Sequence, residues 1–420
     1  MEPICTQVKV RVPATSANLG SGFDTVGLAL DYHDELTFTL SRDPSNRAAQ
    51  VLIYGEGEDT LPRDETHLVV STFRKACQTF GLGKVGFILE AHNNIPQARG
   101  MGSSAEAIVA GIAAAAAFAQ EGRLNRDSIF ELAAAIEGHP DNVAPAVYGG
   151  MTVSWNFDTA EGVGSVPIPG GDPLHGGFHT VKYAVDPGVT AAVFVPDYEL
   201  STEKAREALP GEVAYRDAVF NVSRVALMAA AMNPRALASG EEPNALLYAA
   251  TQDRLHQPYR KGLMQPSWDL IQAFRSRGFA AMVSGAGPCV LVLHHGDAVA
   301  DIDEVAAEQL ASGHWKVLHL PIDTVGEPVM ALLGEQGTAD LHGVIVGAGE
   351  SASRNMAGVI VQESQIEADI MTDDGLGLSR GVGIGEPGNE LGEHPVNGIM
   401  VGDHRVGNAG QRGDLTRNRA

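Results

Sequence analysis

The stretch from residue 93 to residue 113, NNIPQARGMGSSAEAIVAGIA, constrains this chain more than any other. A polar, glycine-punctuated loop ends in Gly102-Ser103-Ser104 and runs straight into a small-residue helix expected from Ser103 to Gln120. The apolar run from Val85 to Leu89 before it reads as a strand. A loop that opens a helix in this way presents unpaired backbone N–H groups and the positive end of the helix dipole to an anion. Glycine lets the backbone approach closely, and serine adds hydroxyl donors and metal ligands. The stretch therefore reads as a polyphosphate cradle. It contains no Gly-Lys-Ser/Thr, so it is not a P-loop. Standing alone it is as readily a structural turn before a packed helix, and the rest of the chain has to decide.

The chain has 420 residues, enough for two domains, and a net charge of −23. That charge argues against non-specific binding to nucleic acid or an anionic membrane, both of which want clustered Lys and Arg. An acidic protein that binds a nucleotide must concentrate positive potential locally. Cys5, Cys77 and Cys289 are scattered, which fits a reducing compartment and implies no disulfide framework. The N-terminus lacks the apolar core of a signal peptide, and no run reads as a membrane span, so a soluble cytoplasmic protein is expected. Residues 331–420 hold 18 of the 49 glycines and no Phe, Tyr or Trp, which leaves little to bury against the entropy of ordering. The Gly- and Pro-dense segment from Gly162 to Gly177 reads as a linker. The expected divisions are a first domain over 1–165, a second over 175–325, and a disordered tail or extension over 326–420.

Other loops weigh on the cradle. Residues 13–30, PATSANLGSGFDTVGLAL, follow a strand at Val8–Val12 and read as a loop holding Ser16, Asn18 and Asp24. A lone Asp there suits a substrate ammonium. EGHPDNVAPAVYGG, at 137–150, places His139, Asp141 and Asn142 together after a helix expected over Asp127–Glu137, with Asp127 as its cap. Glu131, on that helix, together with a cradle serine would give Mg²⁺ hard oxygen ligands. SGAGP, at 284–288, reads as a tight turn between two strands. In the second half, Arg206 and Arg260 are placed to clamp a small amino acid's carboxylate through paired N–H···O bonds. Taken alone, SGAGP reads first as a hairpin turn, Glu131 as a solvated glutamate and each arginine as a surface group, and the 137–150 loop is as readily a cluster of turns.

Taken in order, these stretches resemble the GHMP small-molecule kinases. PATSANLGSGFDTVGLAL, IPQARGMGSSAEAIVAGI, EGHPDNVAPAVYGG and VSGAGPCVLVL resemble the family's signatures, and the resemblance spans about residues 8–325. LSTEKAREALP and HQPYRKGLMQP narrow it to the branch that phosphorylates L-homoserine. The resemblance implies an α+β, two-domain GHMP kinase fold. Its N-terminal domain would be ribosomal-protein-like with a left-handed βαβ unit, its C-terminal domain ferredoxin-like, and the site would lie between them. It implies transfer of a phosphoryl group from ATP to the side-chain hydroxyl of L-homoserine, feeding threonine synthesis, and it implies a homodimer. Carried onto this chain, Asn18, Asp24, Asn142, Arg206 and Arg260 would hold the amino acid. Asp24 would take the ammonium and the arginines the carboxylate. Asn142 and Arg206 would be the catalytic residues. Pro96, Gln97, Ala98, Arg99, Gly100, Met101, Gly102, Ser103, Ser104 and Ala105 would wrap the triphosphate, with Glu131 and one of the two cradle serines, Ser104 or Ser103, on Mg²⁺. Adenine would sit near residues 62–69, where His67 stands in place of the family's Asn. Met101, Glu106 and Ser21 also depart from the pattern. An amide cannot take a proton at neutral pH, so Asn142 is expected to orient the hydroxyl, and no general base is assigned. The alternatives are a GHMP kinase acting on another alcohol, or a non-catalytic ATP-binding paralogue.

Overall fold

The structure, a computed structural model, describes residues 1–327 except 44, 121–123, 161 and 239, and beyond them the backbone of two short strands. The expected tail otherwise lies outside the described residues.

The first half is built on a mixed sheet. Its strands are β1 (Gln7–Ala17), β2 (Val26–Leu40), β3 (Ala49–Gly55), β4 (Phe87–Asn93) and β5 (Met151–Phe157). A two-residue ribbon, β6 (Ser165–Val166) and β7 (Leu174–His175), precedes β8 (Gly177–Tyr183), which returns to pair with β5. The first sheet thus extends through the segment read as a linker. The second half holds β9 (Val189–Pro196), β10 (Ala280–Val283), β11 (Val290–His295) and β12 (Trp315–Pro321). Finally β13 (Val329–Leu332) pairs with β1 and β14 (Val344–Val346) with β13, so the first sheet gains strands from beyond residue 325.

In the first sheet the order is β14-β13-β1-β2-β4-β3, with β5 on β2 and β8 on β5. β3 and β4 are parallel, joined through α1 (Leu68–Thr79); every other pair is antiparallel. Helices α2 (Ser103–Ala119), α3 (Arg126–Glu137) and α4 (Val143–Tyr148) complete this half. The four-stranded second sheet is antiparallel in the order β10-β11-β9-β12, the ferredoxin-like arrangement. Its helices are α5 (Thr202–Glu207), α6 (Tyr215–Met232), α7 (Pro243–Ala250), α8 (Gln257–Arg260), α9 (Gln265–Ser276), α10 (Val299–Val305) and α11 (Ala307–Ala311). No helix of the described residues is long and apolar enough to cross a membrane.

Three differences from the sequence reading have physical causes. Residues 13–17 and 26–30 are strand, not loop, and pair with each other. Both faces of these segments are buried, which erases the alternation that marks a half-exposed strand. Helix α3 starts one residue earlier than expected and is capped by Asn125, whose side chain accepts from the amides of Asp127 and Ser128. β4 runs on to Asn93, because Glu90 and His92 occupy its outward positions.

Helix α2 is the centre of the first half. Fifteen of its 17 residues are buried, and its alanines let α1 come close. At Gly111 an added Cβ would lie 2.8 Å from the carbonyl oxygen of Val69 and 2.9 Å from the amide of Phe73. The two backbones therefore touch there. A Gly111→Val variant is expected to lose about 1–3 kcal/mol of stability through overpacking. Urea unfolding reads this as a lower midpoint at unchanged slope.

Candidate active site

A cleft of about 330 Å³ opens where both halves meet. One wall is the first turn of α2. No side chain caps this helix, and its Ncap residue, Gly102, is left-handed at φ 76°. A Cβ at Gly102 would fall 2.0 Å from Thr15 Oγ1, and one at Gly100 would fall 2.1 Å from the Ser284 carbonyl oxygen. The cradle is thus wedged between the end of β1 and the SGAGP turn. The Thr15 amide donates to the Met101 carbonyl, 3.0 Å, and the Cys289 amide to the Arg99 carbonyl, 3.1 Å. Ser284 Oγ donates to the Gly100 carbonyl at 2.6 Å and lies 2.9 Å from Ser16 Oγ. Asn18 Nδ2 donates to the Gly285 carbonyl, 2.8 Å.

The structure brings most of the expected residues to this cleft. Asn18, Asp24, Asn142, Arg206 and Arg260 line it, as do Gln97, Ala98, Gly100, Gly102, Ser103 and Ser104. Four cradle residues do not. Met101 and Ala105 are wholly buried in the core, Pro96 is buried against a separate hollow, and Arg99 turns away to the carbonyl of Pro196.

Glu131 is a correction. It is exposed on α3 and does not line the cleft; the carboxylate that reaches the cradle is Glu137, which accepts from Ser104 Oγ at 2.8 Å. Six residues of helix rotate a side chain by about 600°, so the two glutamates point to different faces. The available signal was Glu137's place inside the EGHPDN stretch itself. Burial raises the Glu137 pKa, opposed by the Ser104 hydrogen bond and by His139. His139 Nδ1 lies 2.8 Å from Asp141 Oδ1. Burial disfavours the His139 imidazolium, but the Asp141 hydrogen bond and the charges of Asp141 and Glu137 outweigh it and raise the pKa.

At the other end, Arg206 donates two hydrogen bonds to Asp24, 2.8 and 2.9 Å, so the two expected substrate-holding charges neutralise each other here. Arg260 differs. Only 2% exposed, it donates from Nε to the Ala205 carbonyl, 3.0 Å, and lies 3.3 Å from His256 Nδ1. His256 Nε2 reaches the Gly20 carbonyl at 2.8 Å, which leaves Nδ1 as an acceptor for Arg260. Among the described residues no carboxylate lies within ion-pair distance of Arg260. A buried guanidinium with no carboxylate in contact, beside a cleft, favours a bound anion, even with Asp24, Asp253 and Asp141 acting on it from farther off.

Near α1 the lining is more apolar, with Leu61, Leu68, Val69 and Ala107, and includes His67, both of whose ring nitrogens are buried without a partner. Glu106 also lines the cleft and meets Asp34 in a buried carboxyl pair. Asp34 Oδ1 accepts from the amides of Asn94 and Ile95, 2.5 and 2.8 Å. Oδ2 of Asp34 and Oε1 of Glu106 are buried without a hydrogen-bond partner, and burial raises the pKa of both groups, which favours their protonated forms.

The matching family models are those for the GHMP kinases N terminal domain, over residues 67–150, and the GHMP kinases C terminal, over residues 235–311. The chain belongs to the GHMP kinases, in the branch of the homoserine kinases. It is 42% identical to a homoserine kinase of Clavibacter michiganensis over 79% of this chain and 96% of that protein. It is 43% identical to one of Leifsonia xyli over 77% and 91%. A homoserine kinase crystal structure from Cytophaga hutchinsonii superposes with a TM-score of 0.64 at 25% identity, covering 78% of this chain and 99% of that one. A mevalonate kinase of L. major, TM-score 0.55 at 14% identity over 77% and 99%, shares the fold.

The carboxyl pair makes stability depend on pH. Burial pushes Asp34 up to about 6, against the amide hydrogen bonds of Ile95 and Asn94, and burial also raises Glu106 well above the ordinary range. Carboxyls with raised pKa stabilise the fold fully below about pH 4, and that contribution is lost as pH rises through the folded value. The fall in unfolding free energy between pH 4 and pH 7 should be shallower in Glu106→Gln than in the wild type. Equal slopes in a urea series would contradict the pairing.

Proposed function

We propose that this chain transfers the γ-phosphoryl group of ATP, the phosphate donor of its family, to the side-chain hydroxyl of L-homoserine. The products are ADP and O-phospho-L-homoserine, an intermediate on the way to threonine. The observation that carries this reading is the buried, unpaired Arg260 next to the Asp24–Arg206 pair, in the same cleft as the uncapped N-terminus of α2. One end suits a zwitterion and the other a polyphosphate.

An α-carboxylate seats on Arg260 and recruits Arg206, while the ammonium takes Asp24. The Asp24–Arg206 pair is more than a third exposed, and such pairs contribute only about 0–1 kcal/mol. It therefore opens readily when the substrate supplies a partner for each member. Gly100, Gly102 and the first amides of α2 receive the phosphates. Adenine lies toward His67, in the more apolar end.

Glu137 and Ser104 offer hard oxygen ligands side by side, and a buried carboxylate with a raised pKa gains from a cation, so these residues fit Mg²⁺. Bound there, the ion would offset charge on the phosphates. Asn142 orients the acceptor hydroxyl. Transfer through a loose transition state needs positioning and charge stabilisation more than a strong base. The hydroxyl proton leaves to a phosphoryl oxygen or water. The three free, buried cysteines fit a cytoplasmic enzyme.

The competing substrate class is an acidic alcohol without an amine, such as mevalonate. It would satisfy Arg260 but leave Asp24 without a cation. In a coupled ADP assay, ATP- and Mg²⁺-dependent turnover is expected with L-homoserine and not with mevalonate. Arg260→Met should raise the KM for homoserine about 30-fold, the equivalent of roughly 2 kcal/mol for a lost charged hydrogen bond. Turnover of mevalonate alone, or an unchanged KM in Arg260→Met, would overturn the assignment.

A further inference from the structure

Thr15 lies between the cradle and Asn142 and touches both. Its side chain is wholly buried at the end of β1. Its amide donates to the Met101 carbonyl, inside the cradle, and its Oγ1 fills the space that a Cβ on Gly102 would occupy. The Thr15 hydroxyl donates to Asn142 Oδ1 at 2.9 Å.

That contact fixes the polarity of the Asn142 amide. Among the described residues the Thr15 hydroxyl has no other acceptor in hydrogen-bonding range. If the amide were turned over, the buried hydroxyl proton would lose its acceptor, which costs more than an unused lone pair. Asn142 Oδ1 is therefore committed to Thr15. Nδ2, which has no protein partner among the described residues, is the end left for the cleft.

We propose that Thr15 is a positioning residue of the phosphoryl transfer, holding the Asn142 amide so that Nδ2 faces the acceptor hydroxyl while bracing Gly102 of the cradle. This rests on the reading that Asn142 orients that hydroxyl. With Nδ2 donating to one lone pair of the substrate oxygen, a second lone pair is free to attack phosphorus. The O–Pγ bond forms as the bond from Pγ to the bridging oxygen breaks, its electron pair staying on ADP. The hydroxyl proton cannot pass to Asn142, whose oxygen is turned away. It goes to a phosphoryl oxygen or to water. The acceptor and the phosphate are thus aligned through one residue in contact with the fixings of both.

The test is a double-mutant cycle on the full-length enzyme with Thr15→Val, Asn142→Ala and the double variant, plus Thr15→Ser. Thr15→Val is expected to lower kcat by about tenfold or more, with both KM values within about threefold of wild type. Thr15→Ser, which keeps the hydroxyl, should stay within about threefold of wild-type kcat. In an Asn142→Ala background, Thr15→Val should cost less than about twofold further, because the group it positions is gone. Thermal midpoints of all four variants separate a folding defect from a positioning defect. Three results would overturn the proposal: wild-type kcat in Thr15→Val, an equal loss in the Asn142→Ala background, or no rescue by serine. If the wild type acts on another alcohol, the cycle is run on that alcohol. Failure of the substrate assignment is then read from the wild type, and failure of the Thr15 role from the cycle.

Discussion

The hydroxyl of Ser284 is the point on which the cleft depends. It lies 2.6 Å from the Gly100 carbonyl of the cradle and 2.9 Å from Ser16 Oγ on β1, and so ties the second half of the molecule to two elements of the first. Around it the backbones are too close for side chains, as the space at Gly100 shows. The Gly285 amide donates to the Ala17 carbonyl and Asn18 Nδ2 to the Gly285 carbonyl, so the same turn also fixes the loop that carries Asp24. Cradle, substrate loop and hairpin turn form one unit. Its apolar support is the cluster in which Leu19, Leu28 and Met101 meet Val193, Met228 and Leu291.

On this frame the electrostatics become local. The chain as a whole is strongly acidic, yet the cleft collects the open end of a 17-residue helix and two arginines. One arginine is paired with Asp24 and near solvent; the other is buried with no carboxylate in contact. The first can exchange partners at little cost, whereas the second holds a standing demand for an anion. Acidic groups next to the cradle are kept in check by the burial that raises the pKa of Asp34 and Glu106, and by Ser104 and His139 around Glu137. An acidic surface and a phosphate site thereby coexist.

The glycine- and serine-rich cradle before its helix and Asp24, the one charge of an uncharged stretch, were legible because their chemistry is local, whereas the roles given to Asn142, Arg206 and Arg260 came from the family resemblance, Arg206 and Arg260 having other charged residues beside them in sequence. The antiparallel β10–β11 hairpin around SGAGP was legible for the same reason. What escaped depended on tertiary placement. Residues 13–17 looked like loop because burial on both faces hides a strand's alternation. Glu131 and Glu137 share a helix; the EGHPDN stretch pointed to Glu137, and the packing of that helix is what brings it, and not Glu131, to Ser104. The Asp24–Arg206 pairing joins residues 182 apart in sequence, and Thr15 acquires its role only through the approach of α4 to β1. The departures at His67 and Glu106 were visible as residue types, but not as a partnerless imidazole and half of a carboxyl pair.

The most direct measurement is the steady-state dependence of Ser284→Ala on ATP, with L-homoserine saturating. If the Ser284 hydroxyl holds the cradle in its receiving shape, kcat/KM for ATP should fall by about tenfold or more while the thermal midpoint moves only a few degrees. An unchanged kcat/KM for ATP in a stable Ser284→Ala protein would contradict the view that the clasp between the two halves shapes the phosphate site.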